Sequence, residues 1–233
     1  MKKIYKNIFF DLDHTLWDFE RNSSESLREM YLKYDLLGLG IENAEHFEKV
    51  YKKINYSYWE AYRKEEINKD QLRVGRFRDT FTFFDIDNNA LADRLGDDYL
   101  SITPYKKHLF PDTIEILDKL KEKYRLHIIT NGFEEVQYIK MKSSGLTPYF
   151  ENIITSEQAK VKKPNPIIFE YALKTCKASV EDSLMIGDNP EVDCKGAYDI
   201  GMDSVYFNPN KEKTDFPSTY EINGLNALER ILL

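Results

Sequence analysis

The chain carries four short polar motifs, far apart in sequence, and each ends a short apolar run. Runs of this length and composition are typical of strands that are buried on both faces of a parallel sheet. Because ligands of such sheets bind at the carboxyl ends of the strands, we expect the motifs to meet at one edge. The motifs are Asp11-Leu12-Asp13-His14-Thr15, Thr130-Asn131-Gly132, Lys163-Pro164 and Gly187-Asp188-Asn189-Pro190-Glu191-Val192-Asp193.

Strands and helices alternate along most of the sequence, and a last strand and helix follow a polar loop at 208–218. This alternation predicts an α/β fold with a doubly wound, mostly parallel sheet. The predicted strands are 4–10, 125–130, 152–155, 184–187 and 204–207. The helix predicted at 113–123 is expected to bury Ile114, Leu117 and Leu120. The predicted helices are 113–123, 165–176 and 189–200.

A long helical segment interrupts the alternation after the first strand. Apolar residues recur there at helical spacing in three groups, with breaks at 38–40 and 85–89. We therefore predict an α/β core at 1–16 and 106–233, with an α-helical domain inserted at 17–105. The groups are Leu27, Met30, Tyr31 and Tyr34; Phe47, Val50, Tyr51, Ile54 and Tyr58; and Leu91, Leu95 and Tyr99.

The composition of the chain limits which kinds of molecule it can be expected to bind. The 233 residues carry a net charge of -7 without a long Lys/Arg run, which argues against binding of polymeric nucleic acid. No apolar stretch is long enough to span a bilayer. Cys176 and Cys194 form no CxxC motif and predict reduced thiols in a cytoplasmic protein. A small anionic substrate still fits, because a metal ion and local cations can outweigh the global charge.

The first motif holds two carboxylates separated by one residue. In extended backbone this spacing puts Asp11 and Asp13 on the same side of the chain. One carboxylate can then attack phosphorus while its neighbour protonates the leaving oxygen and later activates a water. Taken alone, an acidic pair after a strand could equally open a turn or cap a helix.

The second and third motifs supply a hydroxyl, an amide and a cation. Thr130 and Asn131, with the backbone N–H groups of a strand-to-helix turn, predict an anion site, and Gly132 lets the backbone approach closely. The alternative is an ordinary helix cap. Lys163 can offset the charge of carboxylate and phosphate together, although Lys162 is adjacent and lone lysines are usually solvated.

The fourth motif contributes two acids. Asp188, which is nearest to the strand end, is predicted to bind Mg²⁺, an ion that takes one or two carboxylates besides water and substrate oxygens. Asp193 is predicted to support it from a second layer, or else to be a first-turn helix acid. Without a metal, carboxylates gathered in one crevice repel each other and take up protons.

In this order the motifs resemble those of the haloacid dehalogenase (HAD) superfamily, and the resemblance covers the whole chain. It is carried above all by Ile8-Phe9-Phe10-Asp11-Leu12-Asp13-His14-Thr15-Leu16. It implies Asp11 as nucleophile, Asp13 as general acid/base, and Lys163 rather than Lys162 as the active-site cation. It also implies Mg²⁺ bound by the Asp11 carboxylate, the Asp13 backbone carbonyl and Asp188, with Thr130 and Asn131 at the phosphate.

The resemblance also bears on the substrate. In this superfamily the presence of Asp13 favours phosphate esters over haloacids, and an α-helical insertion at this place resembles a cap that selects substrate. The Asp-Leu-Asp-His-Thr-Leu, Trp-Asp-Phe, Gly-Arg-Phe and Ile-Ile-Thr-Asn-Gly-Phe runs are similar to those of bacterial 5′-nucleotidases acting on pyrimidine and non-standard nucleoside monophosphates. This implies a Mg²⁺-dependent phosphomonoesterase that favours nucleoside monophosphates. We expect a monomer or a homodimer.

Four other functions are compatible with parts of the pattern. A sugar-phosphate phosphatase or a phosphosugar mutase would use the same chemistry. A signalling receiver is phosphorylated on aspartate, but it lacks a second acid like Asp13 and a long helical insertion. A catalytically inactive binding protein predicts a broken motif, and none of the four is broken.

Side chains of the insertion have two interpretations. Its aromatic residues could stack on a nucleobase, but their periodicity favours packing between helices. Arg76 could hold an anionic or carbonyl group, or form a surface salt bridge. The aromatic residues are Tyr51, Tyr56, Tyr58, Trp59 and Tyr62; the residues expected at a substrate-facing rim are Trp17, Phe19, Arg76 and Phe133.

Overall fold

A computed structural model describes residues 3–233 and contains, within them, one six-stranded sheet in the order β3-β2-β1-β4-β5-β6. Every neighbouring pair is parallel. The predicted α/β class with a mostly parallel sheet is therefore confirmed. The strands are β1 (Asn7–Phe10), β2 (Arg125–Thr130), β3 (Asn152–Thr155), β4 (Ser183–Gly187), β5 (Asp203–Phe207) and β6 (Tyr220–Ile222).

The helices that accompany these strands occupy two separate stretches of the chain. Those between β1 and β2 are α1 (Phe19–Lys33), α2 (Ala44–Arg63), α3 (Lys69–Phe83), α4 (Asn89–Ile102) and α5 (Thr113–Leu120). Those after β2 are α6 (Glu134–Ser143), α7 (Ser156–Ala159), α8 (Pro166–Cys176), α9 (Gly196–Asp199) and α10 (Leu228–Leu232).

The sheet buries both of its faces because alternate residues of each strand point to opposite sides. On one side Ile8 and Phe10 join a core with Leu117 of α5. On the other side Phe9 packs in a second core with Phe169 of α8. Strands of this kind are almost wholly apolar, which is why their sequence signal was clear.

Three predicted elements differ from the structure. The first strand begins at Asn7 rather than residue 4, and Ile4 is exposed. In α5 the buried residues include Ile116, whereas Ile114 is exposed. The predicted helix at 189–200 is a π-helix over Pro190–Lys195 that continues into α9. A single apolar residue at helical spacing does not decide which flank of a short helix faces the sheet.

The chain divides into two compact units, Met1–Phe19 with Lys107–Leu233, and Glu20–Lys106. Trp17 belongs to the unit that contains the sheet, where it bridges Leu109 in antiparallel fashion. Asp18 likewise donates its N–H to the carbonyl oxygen of His108 at 3.0 Å.

The second unit has a core of its own, formed by apolar side chains of α1 to α4. Tyr51 is buried in that core, whereas Tyr56 is exposed. Arg76 is buried rather than at the surface; it donates to Asn55 Oδ1 at 2.9 Å and lies 4.9 Å from the centre of the Tyr99 ring. The alternative of a surface salt bridge at Arg76 is therefore wrong. None of the helices in the described part of the chain combines the length and apolarity needed to cross a membrane.

Two adjacent residues of α8 allow a matched test of this packing. Ile168 is fully buried against the sheet, whereas Ile167 is 52% exposed. We expect Ile168→Ala to lower the free energy of unfolding by about 2 to 5 kcal/mol, because it leaves a cavity. Ile167→Ala should change it by less than about 0.5 kcal/mol. Urea unfolding of both variants measures this, and equal effects would contradict the placement of α8.

Candidate active site

Asp11 is the first residue beyond the central strand β1. Its N–H donates to the carbonyl oxygen of Ile186 at 2.8 Å, which continues the pairing of β1 with β4 by one residue. The chain then turns sharply: His14 adopts a positive φ of 63°, and the N–H groups of Leu16 and Trp17 both donate to Leu12. After this turn, at the carboxyl edge of the sheet, Asp13 contacts side chains of α6 and Thr15 contacts Asp188.

Lys163 lies at the centre of the site. Its Nζ donates to Asp11 Oδ1 at 2.5 Å, to Asp193 Oδ1 at 2.6 Å and to the carbonyl oxygen of Ile129 at 2.8 Å. Burial alone would lower the pKa of Lys163, but the Asp11 and Asp193 carboxylates outweigh it and raise the pKa above its usual value. The ammonium therefore stays charged.

The lysine motif does not itself end a strand, contrary to expectation. β3 ends at Thr155, and the short helix α7 separates it from Lys163. The side chain of Asn131 fixes this segment instead: its Oδ1 accepts from the N–H of Lys163 at 2.8 Å, and its Nδ2 donates to the carbonyl of Lys163 at 3.0 Å. The amide of Asn131 therefore holds the backbone of Lys163 in place.

Three carboxylates gather beside that single ammonium. Asp11, Asp188 and Asp193 each offer an oxygen atom within 4.8 Å of the others. Thr15 Oγ1 donates to Asp188 Oδ1 at 3.1 Å. Asp193 fits closely because Gly187 has no side chain; a Cβ at residue 187 would lie 2.3 Å from Asp193 Oδ2.

The charge in this cluster is unbalanced. Burial raises the pKa of Asp11 to about 8; Lys163 opposes that rise, and the Asp193 and Asp188 carboxylates add to it. Burial and Asp193 likewise raise the pKa of Asp188 to about 8, although Thr15 and Lys163 oppose the rise. A divalent cation would offset this excess of negative charge, and carboxylate oxygens are ligands that Mg²⁺ prefers. The residues present therefore fit a Mg²⁺ ion.

Thr130 has its hydroxyl oriented by two donors. Its Oγ1 accepts from the N–H of Gly132 at 3.1 Å and from Gln137 Nε2 at 2.9 Å. Both lone pairs of the oxygen are then used, so the hydroxyl hydrogen is what Thr130 can offer to an anion. Gly132 is required for a reason that the sequence did not indicate: a Cβ there would lie 1.6 Å from Gln137 Nε2.

Asp13 is held by two side chains of α6. Lys140 Nζ donates to its Oδ1 at 2.6 Å, and Gln137 Nε2 donates to its Oδ2 at 2.8 Å. Burial would raise the pKa of Asp13, but the Lys140 ammonium and the Gln137 amide outweigh it and lower that pKa. The carboxyl group is thus ionised at rest.

Of the residues expected to line a substrate-facing rim, Trp17 and Phe133 are buried and Phe19 is half-buried. Trp17 lies under Lys140 instead, with Nζ 4.5 Å from the ring centre. Its role in this unit is therefore packing, together with a cation–π contact that helps fix Lys140.

Sequence reasoning overlooked Gln137 and Lys140. The signal was present: these residues and Met141 are at i, i+3 and i+4, and all three are buried in α6. An amide and an ammonium on the buried face of a helix are unusual, because such groups are rarely buried away from solvent without a specific hydrogen-bond partner. Thr15 also lacked an assigned role, although it stands in the first motif.

The comparisons with known proteins agree with this arrangement. Residues 5–201 match the family model described as haloacid dehalogenase-like hydrolase. The chain belongs to this family. This haloacid dehalogenase-like hydrolase is 31% identical over 230 residues to pyrimidine 5′-nucleotidase PynA of Streptococcus pneumoniae. The aligned region covers 96% of this chain and 93% of PynA.

Two further known proteins are similar to this chain over nearly their full length. Pyrimidine 5′-nucleotidase YjjG of Escherichia coli is 30% identical over 231 residues, covering 97% of this chain and 96% of YjjG. The crystal structure of the HAD-hydrolase YfnB of Bacillus subtilis, which was solved bound to magnesium, has a TM-score of 0.90 and 28% identity, covering 99% of both chains.

The contact between Gly132 and Gln137 can be tested in this hydrolase by a double-mutant cycle. Gly132→Ala should cost about 1 to 3 kcal/mol of stability, because its Cβ collides with the buried amide. In a Gln137→Ala background the same change should cost less than about 0.5 kcal/mol, since the colliding atoms are gone. Chemical denaturation measures the four variants. An equal cost in both backgrounds would mean that the amide does not lie against Gly132.

Proposed function

We propose that the chain is a Mg²⁺-dependent phosphomonoesterase that forms an aspartyl-phosphate on Asp11, with nucleoside 5′-monophosphates as its preferred substrates. The observation that supports this most directly is the buried Lys163 ammonium, 2.5 Å from Asp11, at the edge where Asp13, Thr130 and Asp188 also lie. Acid, cation and hydroxyl are there in the combination that phosphoryl transfer to a carboxylate requires.

In the first half of the reaction a carboxylate oxygen of Asp11 attacks phosphorus and the bond from phosphorus to the ester oxygen breaks. The proton enters with the substrate: the monoanionic phosphate ester transfers it to Asp13, which is ionised at rest, and Asp13 passes it to the ester oxygen, which keeps the bonding electron pair. Lys163 stabilises the negative charge that collects on the nucleophile and the phosphoryl oxygens, and the Thr130 hydroxyl donates to one of those oxygens. Mg²⁺ held by Asp11, Asp188 and the Asp13 carbonyl would supply further neutralisation of this charge.

In the second half a water molecule attacks the phosphorus of the aspartyl-phosphate. Asp13, now ionised, takes the proton of that water, and the bond between phosphorus and Asp11 breaks. The electron pair returns to the Asp11 carboxylate, and inorganic phosphate leaves. Asp193 and Asn131 take no proton in this scheme; they hold Lys163 in position by its ammonium and its backbone.

The preference for nucleotides rests on the two relatives named as pyrimidine 5′-nucleotidases, PynA and YjjG. At about 30% identity the catalytic residues carry over more securely than the substrate, since one fold hosts many specificities. A sugar-phosphate phosphatase would use the same residues and differ in the substrate that it prefers.

Phosphate release from a panel of pyrimidine and purine nucleoside 5′-monophosphates, sugar phosphates and p-nitrophenyl phosphate tests this function. We expect release from p-nitrophenyl phosphate and a higher kcat/KM for pyrimidine nucleotides than for sugar phosphates. Asp11→Asn should lower kcat at least about 10⁴-fold on every substrate, because an amide cannot form the covalent intermediate. Asp199→Asn is the control, since Asp199 pairs with Lys195 at the surface.

Each outcome of the panel has a distinct meaning. A sugar phosphate as best substrate would replace the nucleotide specificity and leave the chemistry intact. Isomerisation of a sugar phosphate without phosphate release would indicate a mutase. Near-normal turnover by Asp11→Asn would remove Asp11 as nucleophile.

Metal binding can be measured without activity by following thermal unfolding with and without Mg²⁺. At a Mg²⁺ concentration about a hundredfold above Kd, the wild type should gain about 2.7 kcal/mol of stability. Asp188→Asn should abolish this gain. Without the metal the variant should be at least as stable as the wild type, because the raised pKa of Asp188 means that folding must either bury its charge or protonate it, and the amide avoids both costs.

The matched control for the metal experiment is Asp215→Asn, in the exposed loop between β5 and β6, which should retain the full Mg²⁺ effect. Phosphatase activity should fall on addition of EDTA and return with Mg²⁺. Stabilisation of Asp188→Asn by Mg²⁺ to the wild-type extent would exclude Asp188 as a ligand.

A further inference from the structure

We propose that Gln137 and Lys140 of α6 are positioning residues that orient the Asp13 carboxyl group and the Thr130 hydroxyl for proton transfer and phosphate binding. This inference rests on the proposed phosphatase function. It assigns a role to two buried polar side chains that lie outside the four sequence motifs.

The Gln137 amide joins two functional groups that come from different strands. Its Nε2 donates to Asp13 Oδ2 at 2.8 Å and to Thr130 Oγ1 at 2.9 Å, which uses both hydrogens of the nitrogen. The residue is fully buried, and its Oε1 has no hydrogen-bond partner within residues 3–233. A side chain selected only for stability would not leave a polar atom buried in this way.

Lys140 fixes the other oxygen of the same carboxylate. Its Nζ donates to Asp13 Oδ1 at 2.6 Å, and the side chain is almost wholly buried. The ammonium lies 4.5 Å from the centre of the Trp17 ring and 5.8 Å from that of Phe19. Aromatic faces on one side and a carboxylate on the other leave the ammonium little freedom to move.

Together the two donors determine the plane of the Asp13 carboxyl group. Rotation about its Cβ–Cγ bond would lengthen both hydrogen bonds, since each oxygen has one. A carboxylate oxygen has a second lone pair, so either oxygen can still carry or accept the transferred proton. The proton is then exchanged from a fixed direction, which favours reaction because a misaligned donor loses much of its effect.

The position of α6 in the chain explains how both groups are reached. The helix begins four residues after Thr130, and its residues i and i+3 are Gln137 and Lys140. Gly132 leaves room for the amide between strand and helix. The second motif and the first turns of α6 therefore act as one unit that connects phosphate binding to the acid/base group.

The inference has a specific kinetic consequence. When the bond from phosphorus to the ester oxygen breaks, a strongly basic leaving alkoxide needs the proton from Asp13, whereas p-nitrophenolate is stable without it. Loss of positioning should therefore damage kcat/KM most for substrates with basic leaving groups. The constant kcat/KM is the one to compare, because it covers the steps up to formation of the aspartyl-phosphate.

The experiment compares Lys140→Met and Gln137→Met with the wild type on a pyrimidine nucleoside 5′-monophosphate, phenyl phosphate and p-nitrophenyl phosphate. We expect kcat/KM to fall about a hundredfold for the nucleotide, less than about tenfold for p-nitrophenyl phosphate, and by an intermediate factor for phenyl phosphate. Lys140→Arg should recover part of the loss, because it keeps a cation at Asp13.

Two controls separate positioning from folding. Lys142→Met makes the same chemical change at an exposed residue of α6 and should leave all three constants unchanged. In an Asp13→Asn background, Lys140→Met should lower kcat/KM by less than about twofold, since the group through which it acts is missing.

Equal losses on all three substrates, or a full additional loss in the Asp13→Asn background, would overturn this inference and leave the phosphatase function standing. A wild-type protein that releases phosphate from none of the three would remove the proposed function and this inference with it. If Lys140→Met does not fold, as thermal unfolding would reveal, Gln137→Met and Lys140→Arg decide the question by the same ratio of constants.

Discussion

The site depends on one buried ammonium that has to balance three carboxylates. Lys163 contacts Asp11 and Asp193 directly, and Asp188 lies within the same cluster. A buried charge is tolerated only when it is paired. Burial raises the pKa values of Asp11 and Asp188, and the neighbouring carboxylates raise them further. The excess of negative charge that destabilises the cluster also favours binding of a divalent cation. With that cation and Lys163 both present, the site would carry positive charge on which a phosphate could bind.

Much of the surrounding structure serves to hold that ammonium. Asn131 binds the backbone of Lys163, Asp193 accepts from its Nζ, and Gly187 leaves the space that Asp193 occupies. A second group of contacts, from Gln137 and Lys140, holds Asp13. The two networks meet at neighbouring residues at the end of β2, because Thr130 accepts from Gln137 and Asn131 binds the backbone of Lys163.

The architecture and the location of the site were predictable because their signals are local. A strand buried on both faces is recognisable in the sequence as a short run of apolar residues. The end of the strand then fixes the position of the motif that follows it, as at Asp11 and Asp188. Where the prediction was wrong, a local signal was ambiguous: Ile114 and Ile116 are both apolar at nearly helical spacing, and only contact with the sheet decides which of them is buried.

The sequence by itself determined the order of strands and helices, the acids and the lysine available for chemistry, and the family they resemble. The tertiary structure alone decided how those groups are paired: that Lys163 contacts Asp11 and Asp193 together, that Asn131 binds the backbone of Lys163, and that an amide from α6 bridges Asp13 and Thr130. The physical reason is range. Backbone preferences and apolar periodicity act within a few residues, whereas a hydrogen bond between Asp13 and Lys140 exists only after β1 and β2 have paired and brought residues 127 positions apart into contact.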